Sequence, residues 1–301
     1  MTKVVFILGP TGVGKTKMSI SLAKKFDGEI ISADSVQVFK GLNSGSAKKR
    51  KNEMQGDKHY AIDIQEPDEE FSVFDFVQYT KQKIEEISAR GKLPIIVGGT
   101  GLYVKALTQG YDFGGTNPDK NLRKKLEKIA QEKGNDHLFE LLKEKNPAMA
   151  EKTDSHNTVR LIRALEIALG GGEKSKNDVN FEFFLVALTR NREKLYEIIN
   201  DRVDKMLEDG LIEEVEQLKK RGLSEKNQSM RAIGYKEVLA FLNGEYDRER
   251  MVELLKQHSR NFAKRQMTFL RGMNDVHYVD VENFEEAEKK LTKQIGDWLN
   301  E

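Results

Sequence analysis

The feature that most constrains this chain is the segment Gly9–Thr16, which reads Gly-Pro-Thr-Gly-Val-Gly-Lys-Thr and matches the phosphate-binding pattern G-x-x-x-x-G-K-[ST]. It follows the apolar run Val4–Leu8, which predicts a buried parallel strand, and it precedes apolar residues at helical spacing in Lys15–Phe26. Backbone N–H groups and the helix N-terminus then converge on phosphate oxygens. We therefore predict a phosphate site, with Lys15 as a mobile cation and Thr16 as a ligand of Mg²⁺.

Strand and helix patterns alternate beyond this segment. Short apolar runs predict strands at Glu29–Asp34, Leu93–Val97 and Phe183–Leu188, and helical spacing marks Val73–Ile87 and Leu102–Leu107. Alternation of this kind is typical of a parallel sheet covered by helices. The sequence therefore predicts an α/β fold with a P-loop NTPase-like parallel sheet core.

The middle of the chain has a different pattern. Residues from Asn117 to about Gly171 are polar and charged, with amphipathic spacing at Leu122, Leu126 and Ile129 and no convincing strand. We predict that residues 1–115 and 181–301 form the catalytic core and that residues 116–180 form a helical insertion domain.

Composition excludes several classes of function. Lys+Arg 50 against Asp+Glu 49 gives a net charge of +1, so only local basic clusters could bind nucleic acid. The absence of cysteine removes disulfides, thiolate metal sites and thiol nucleophiles, and it fits a reducing cytosol. No run approaches the roughly 20 apolar residues of a membrane helix. We expect a cytoplasmic protein without membrane association.

Two polar residues follow predicted strands and are candidates for chemistry. Ligands of open parallel sheets bind beyond the carboxyl ends of the strands, where Asp34 and the turn containing Thr100 fall. Asp34 could hold a metal in a kinase or act as a general base, and it could equally be a turn former. Thr100 could stabilise a leaving oxygen or cap a helix. The strand Leu93–Val97 ends in glycine and lacks the metal-holding Asp that a kinase needs.

Several further strings together resemble the tRNA dimethylallyltransferase family, the bacterial tRNA isopentenyltransferases. They occur in order and extend over nearly the whole chain. These blocks are Gly9–Thr16, Ile31–Phe39, Gly45–Lys48, His59 with Ile62-Asp63, Gly98–Tyr103, Arg160–Glu166, Arg202–Met206, Arg231–Lys236 and Lys264–Arg271.

The resemblance implies transfer of a dimethylallyl group from dimethylallyl diphosphate to N6 of adenosine 37 in tRNA, with release of diphosphate and assistance from Mg²⁺. It makes Asp34 the general base, Thr100 a neighbour of the bridging oxygen and Lys15 a catalytic cation. The donor diphosphate would be bound by Gly9, Pro10, Thr11, Gly12, Val13, Gly14, Lys15 and Thr16.

The resemblance also implies a set of tRNA contacts, with the helical insertion embracing the anticodon stem-loop, in a protein that we expect to be a monomer. These residues are Asp34, Ser35, Val36, Gln37, Thr100, Arg123, Val159, Arg160, Leu161, Ile162, Arg163, Arg231, Ala232, Ile233, Gly234, Tyr235, Lys236, Lys264, Arg265, Gln266, Phe269 and Arg271.

The sequence departs from the family pattern in places and leaves alternatives open. His59-Tyr60 replaces a common His-His pair, and Gly45–Lys49 replaces Gly-Thr-Ala-Lys-Pro. The basic runs Lys48–Lys51 and Lys120–Lys128 could track RNA phosphates or simply be solvated. The alternatives are an isopentenyltransferase acting on free adenine nucleotides, as in cytokinin synthesis, a P-loop small-molecule kinase, and a non-enzymatic RNA-binding protein.

Overall fold

A computed structural model describes residues 1–46, 48, 58–110, 120–170 and 180–301. The chain divides into two compact units, one formed by Met1–Thr108 with Val179–Glu301 and the other by Gln109–Asp178. Part of the basic run Lys48–Lys51, namely residues 49–51, lies outside the described residues.

The first unit is built on a parallel sheet, which confirms the predicted α/β fold. The described strands are β1 (Thr2–Leu8), β2 (Gly28–Ala33), β3 (His59–Tyr60), β4 (Leu93–Gly98), β5 (Phe181–Thr189) and β6 (Val276–Asp280). Their order is β3-β2-β4-β1-β5-β6, and each neighbouring pair is parallel. The central strands read as continuous apolar runs because helices cover the sheet on both faces.

Helices account for most of the remaining described residues. They are α1 (Lys15–Lys25), α2 (Val73–Ala89), α3 (Gly101–Thr108), α4 (Lys120–Lys145), α5 (Pro147–Ala150), α6 (Thr158–Leu169), α7 (Arg192–Glu208), α8 (Leu211–Lys220), α9 (Tyr235–Leu242), α10 (Arg248–Arg271) and α11 (Phe284–Asn300). Side-chain caps fix several starts. Ser72 and Asp75 form a reciprocal capping box at α2, and Asp247 accepts from the N–H of Arg250 at α10.

Strand β3 was missed by the sequence analysis. It has two residues, too few for a period-2 pattern, and pairs with Ile30 and Ile31 at the edge of the sheet. Tyr60, which stands where the family commonly has a second histidine, donates its hydroxyl to the Glu29 carboxylate at 2.7 Å. The residue that departs from the family pattern thus forms a hydrogen bond at the edge of the sheet.

The second unit, in its described part, consists of α4, α5 and α6 around an apolar core. Leu126, Leu138, Leu142, Leu161 and Leu165 are buried there. Helix α4 is interrupted at Gly134, where φ is 79°. The amphipathic spacing read from the sequence thus corresponds to helices that bury their leucines against one another.

No helix in the described ranges has the length and apolar character needed to cross a membrane.

Candidate active site

Three loops meet at the carboxyl edge of the sheet because the neighbouring strands β2, β4 and β1 run parallel and end together. They are the phosphate loop (Gly9–Thr16), the Asp34 turn (Asp34–Gln37) and the Gly99 turn (Gly98–Gly101). The strand ends pack closely, since a Cβ on Gly98 would lie 2.2 Å from the Ala33 carbonyl oxygen. The convergence expected at the shared carboxyl edge of parallel strands is therefore observed.

The phosphate loop has the backbone that its glycines predict. Gly9, Gly12 and Gly14 have φ of 150°, 80° and 109°, values that L side chains rarely adopt. Lys15 Nζ donates to the carbonyl oxygens of Gly9 at 2.9 Å and Pro10 at 2.8 Å. The loop is thus tied to the cation at the start of α1.

The surroundings of Lys15 change its pKa. The pKa of Lys15 is lowered to about 7, first by burial and then by the positive charge of Arg202, while Asp34 acts in the opposite direction. An anion bound in the loop would favour the protonated form.

The Asp34 turn and the Gly99 turn are joined by hydrogen bonds. Asp34 Oδ1 accepts from the N–H of Val36 at 2.8 Å and of Gln37 at 3.3 Å, the contacts of a turn former. Thr100 Oγ1 accepts from the N–H of Ser35 at 3.2 Å. Within the described part of the chain, no donor reaches Asp34 Oδ2, so this oxygen is available to a substrate.

Arg202 is a member of the site to which the sequence analysis assigned no role. It extends from α7, is half-buried, and its guanidinium donates to the Ser46 carbonyl at 3.4 Å. Burial lowers the pKa of Arg202 and the Asp34 carboxylate raises it, so the two charges lie within electrostatic range. Arg202 occurs in one of the matched family strings, but no local pattern indicates that it faces Lys15.

Gln266 is buried at the same edge, with 7% of its surface exposed. Its side-chain oxygen accepts from the N–H of Thr11 at 2.8 Å, and its side-chain nitrogen donates to the Gly99 carbonyl at 3.0 Å. Phe269, one turn further along α10, packs against Gly101, where an added Cβ would lie 2.5 Å from the ring.

The remaining predicted tRNA contacts of this unit lie on α9, on α10 and just before α9. Lys236, Lys264, Arg265 and Arg271 are exposed. Arg231 is also exposed, and its guanidinium donates to the carbonyls of residues 225 and 226 at 2.9 Å each. Ala232 and Ile233 are partly buried, Gly234 is buried, and Tyr235 is buried with its hydroxyl 2.6 Å from Glu214.

The predicted tRNA contacts of the helical unit are of two kinds. Val159 and Arg160 are exposed at the start of α6, Val159 to 78%, whereas Leu161 and Ile162 are buried in the core. Arg123 forms a two-pronged pair with the buried Glu166 carboxylate, at 3.1 and 2.9 Å. Arg163 donates to the same carboxylate at 3.2 Å.

The side chains near the phosphate loop suit a divalent cation that prefers oxygen ligands and is bound by few protein groups. Among the described residues, no group of three or more His, Cys, Asp or Glu side chains could cage a metal. The Thr16 hydroxyl and the Asp34 carboxylate are oxygen ligands of the kind Mg²⁺ prefers, and Mg²⁺ is commonly held by few protein ligands plus substrate phosphates. The residues present therefore fit Mg²⁺ bound mainly through a diphosphate.

Comparisons with known proteins cover nearly the whole chain. A family model described as IPP transferase matches residues 37–273. The chain is 46% identical to a tRNA dimethylallyltransferase of Acetivibrio thermocellus, over 99% of this chain and 98% of that protein. It is similar to the solved tRNA isopentenylpyrophosphate transferase of Bacillus halodurans, with 40% identity, a TM-score of 0.77, and coverage of 100% of this chain and 97% of that one.

A third similarity is to a eukaryotic dimethylallyltransferase acting on tRNA, with 27% identity, a TM-score of 0.81, and coverage of 100% of this chain and 80% of that one. The solved structures therefore cover the phosphate loop as well, which precedes the segment matched by the family model.

Proposed function

Because the chain belongs to the IPP transferase family and is 46% identical to a tRNA dimethylallyltransferase, we propose that it transfers a dimethylallyl group to N6 of adenosine 37 in tRNA. The donor is dimethylallyl diphosphate and the leaving group is diphosphate. The observation that carries the proposal is the grouping of a phosphate loop, two cations and one carboxylate at the carboxyl edge of the sheet.

The donor's diphosphate would lie in the phosphate loop Gly9–Thr16, bound by the backbone N–H groups that remain free in it, since Pro10 has none and that of Thr11 is held by Gln266. Lys15 and Arg202 supply two positive charges beside it, and the lowering of the Lys15 pKa by the charge of Arg202 supports their proximity. Preorganised positive charge stabilises a leaving diphosphate more than the intact donor, because negative charge grows on it as the allylic C–O bond breaks.

Mg²⁺ is proposed as the metal, held by the Thr16 hydroxyl together with the diphosphate. When bound it would supply further neutralisation of the leaving group's charge. Lys15 and Arg202 would orient the same oxygens.

Asp34 is proposed as the general base and Thr100 as a neighbour of the donor's bridging oxygen. The Asp34 turn holds one carboxylate oxygen through the N–H groups of Val36 and Gln37, which leaves Oδ2 for the adenine amino group. The base must be extruded from its stack, at a cost of roughly a few kcal/mol, before Asp34 can accept the N6 proton. The prenyl carbon then bonds to N6 as diphosphate leaves.

The tRNA is proposed to be bound by exposed basic residues and by the helical insertion. Arg160, Lys264, Arg265 and Arg271 are exposed and can therefore approach phosphates. We extend the same assignment to residues 116–180 as an anticodon stem-loop contact. The protein would act as a cytoplasmic monomer.

The test is incubation of unmodified tRNA with labelled donor and Mg²⁺, followed by location of the modified base. We expect Asp34→Asn to lower kcat by about 10²- to 10⁴-fold, the usual worth of a general base, while pyrophosphate still binds. Normal turnover by this variant would remove Asp34 from the base role.

Two competing reactions are measured in the same assay. Transfer to free AMP in preference to an anticodon stem-loop would favour the cytokinin-type reaction. ATP hydrolysis without dimethylallyl transfer would favour a kinase.

A further inference from the structure

We propose that Gln266 is a positioning residue of the donor site, which holds the phosphate loop in its diphosphate-binding form and joins it to α10. This inference rests on the proposed function, and it changes the role that family resemblance suggests for Gln266, which is a tRNA contact. Three observations within the sheet-containing unit support this role.

The first observation is a bridge of two hydrogen bonds formed by the side-chain amide of Gln266. The side-chain oxygen of Gln266 accepts from the N–H of Thr11 at 2.8 Å, and its nitrogen donates to the Gly99 carbonyl at 3.0 Å. One end of the side chain must accept and the other must donate. Among side chains of this length only glutamine does both at neutral pH, since glutamate cannot donate and methionine does neither usefully.

The second observation is that position 99 has no side chain. A Cβ there would lie 2.0 Å from Gln266 Nε2 and 3.1 Å from the Gly9 carbonyl oxygen. Glycine at 99 therefore leaves the space that the amide occupies and lets the Gly99 turn touch the start of the phosphate loop.

The third observation is that Lys15 also contacts the start of the loop, through hydrogen bonds of its own. Lys15 donates to the Gly9 and Pro10 carbonyls, and the same ammonium is the group that a diphosphate attracts. Within the described residues, the Gln266 amide forms its hydrogen bonds with backbone groups, so its bridge can persist when Lys15 turns toward the ligand. The Gln266 amide can thus keep Gly9–Thr11 in place while Lys15 binds the diphosphate.

The position of Gln266 on α10 gives the bridge a further consequence. Lys264 and Arg265 are exposed on the same helix, and Phe269 packs on Gly101. The exposed face of α10 is proposed for tRNA, and the buried face supports both the phosphate loop and the Gly99 turn. Any shift of α10 on tRNA binding is therefore transmitted to the donor loop.

The experiment compares Gln266→Met and Gln266→Glu with wild type. Binding of pyrophosphate with Mg²⁺ is measured by calorimetry, tRNA binding by filter retention, and the donor KM, tRNA KM and kcat by transfer. We expect about a tenfold loss of pyrophosphate affinity, the effect of losing one or two buried hydrogen bonds, with tRNA affinity within twofold of wild type. Gln257→Met, at an exposed position of α10, is the matched control and should change none of these values.

A second variant guards against loss of folding. Gly99→Ala fills the space of the amide without altering α10, so it should reproduce the pyrophosphate defect while far-UV circular dichroism stays native. Weaker tRNA binding with unchanged pyrophosphate binding in the Gln266 variants would overturn the proposal, as would normal pyrophosphate binding by Gly99→Ala. Failure of the proposed function is a separate result, because it requires wild type to bind pyrophosphate and yet transfer nothing to tRNA.

Discussion

The pKa of Lys15 lies close to neutral pH, so its protonation state can change when a ligand binds. Its ammonium is buried beside Arg202, and both effects lower its pKa to about 7, so at pH 8.5 the empty protein holds Lys15 largely neutral. A bound diphosphate favours the charged form and raises that pKa. Between the two pKa values, ligand binding and proton uptake are therefore linked.

We predict that pyrophosphate binding above pH 7 is accompanied by uptake of up to one proton, and that affinity falls as the pH rises from about 7 to 9. Calorimetry in buffers of different ionisation enthalpy measures the uptake. Lys15→Arg is the control, because its guanidinium stays charged and only the titration of pyrophosphate itself remains. Equal pH dependence in both proteins would contradict the prediction.

At the scale of elements, the carboxylate of Glu214 on α8 organises the loop that precedes Ser46. It accepts from the N–H groups of Asn43 at 3.0 Å and Ser44 at 2.9 Å, and from the Tyr235 hydroxyl at 2.6 Å. Gly45 packs on the Tyr235 ring, where a Cβ would lie 2.4 Å from the nearest atom. This loop presents the Ser46 carbonyl to Arg202, so α7, α8 and α9 together position the second cation.

Tyr235→Phe should lower the free energy of unfolding by about 1 kcal/mol, because it removes one buried hydrogen bond and keeps the ring against Gly45. Burial and Glu214 raise the pKa of Tyr235, which is consistent with a hydroxyl that donates to the carboxylate. Urea denaturation measures the change. Glu216→Gln, at an exposed position of α8, is the control and should have little effect. A larger loss in the control than in Tyr235→Phe would contradict this account of the loop.

At the scale of the whole molecule, the donor residues belong to the sheet-containing unit, and the other unit has its own charged centre. Glu166 has 3% of its surface exposed and pairs with Arg123 and Arg163. A buried carboxylate of this kind must stay paired, since an unpaired buried charge is costly. Both arginines are predicted to contact tRNA, and pairing with Glu166 fixes the positions of their guanidinium groups.

Glu166→Gln should destabilise the helical unit by about 2 kcal/mol, because charge-assisted hydrogen bonds to both arginines are weakened. Faster amide hydrogen exchange in α4 and α6 would report this, together with weaker tRNA binding. Pyrophosphate affinity should stay within twofold of wild type, because the proposed donor residues lie in the other unit. A large loss of pyrophosphate affinity would refute this separation.

The α/β core, the phosphate loop and the candidates Asp34 and Thr100 were predictable from the amino-acid sequence. Each depends on a local signal: an apolar run for β1, β2 or β4, glycines that permit positive φ, and polar residues directly after a strand. Parallel strands end at the same edge, which was enough to predict that these residues share one crevice, whereas the adjacency of β2, β4 and β1 was seen only in the fold.

The folded structure was needed to identify the roles of Arg202, Gln266 and Glu214 and the existence of β3. Gln266 is 255 residues from Thr11 along the chain, and Glu214 is 171 from Asn43. A polar side chain on a helix has the same local pattern whether it faces solvent or a distant backbone group. Its partner is chosen by how the helices pack on the sheet, because a buried donor or acceptor must be paired and packing decides what lies within reach.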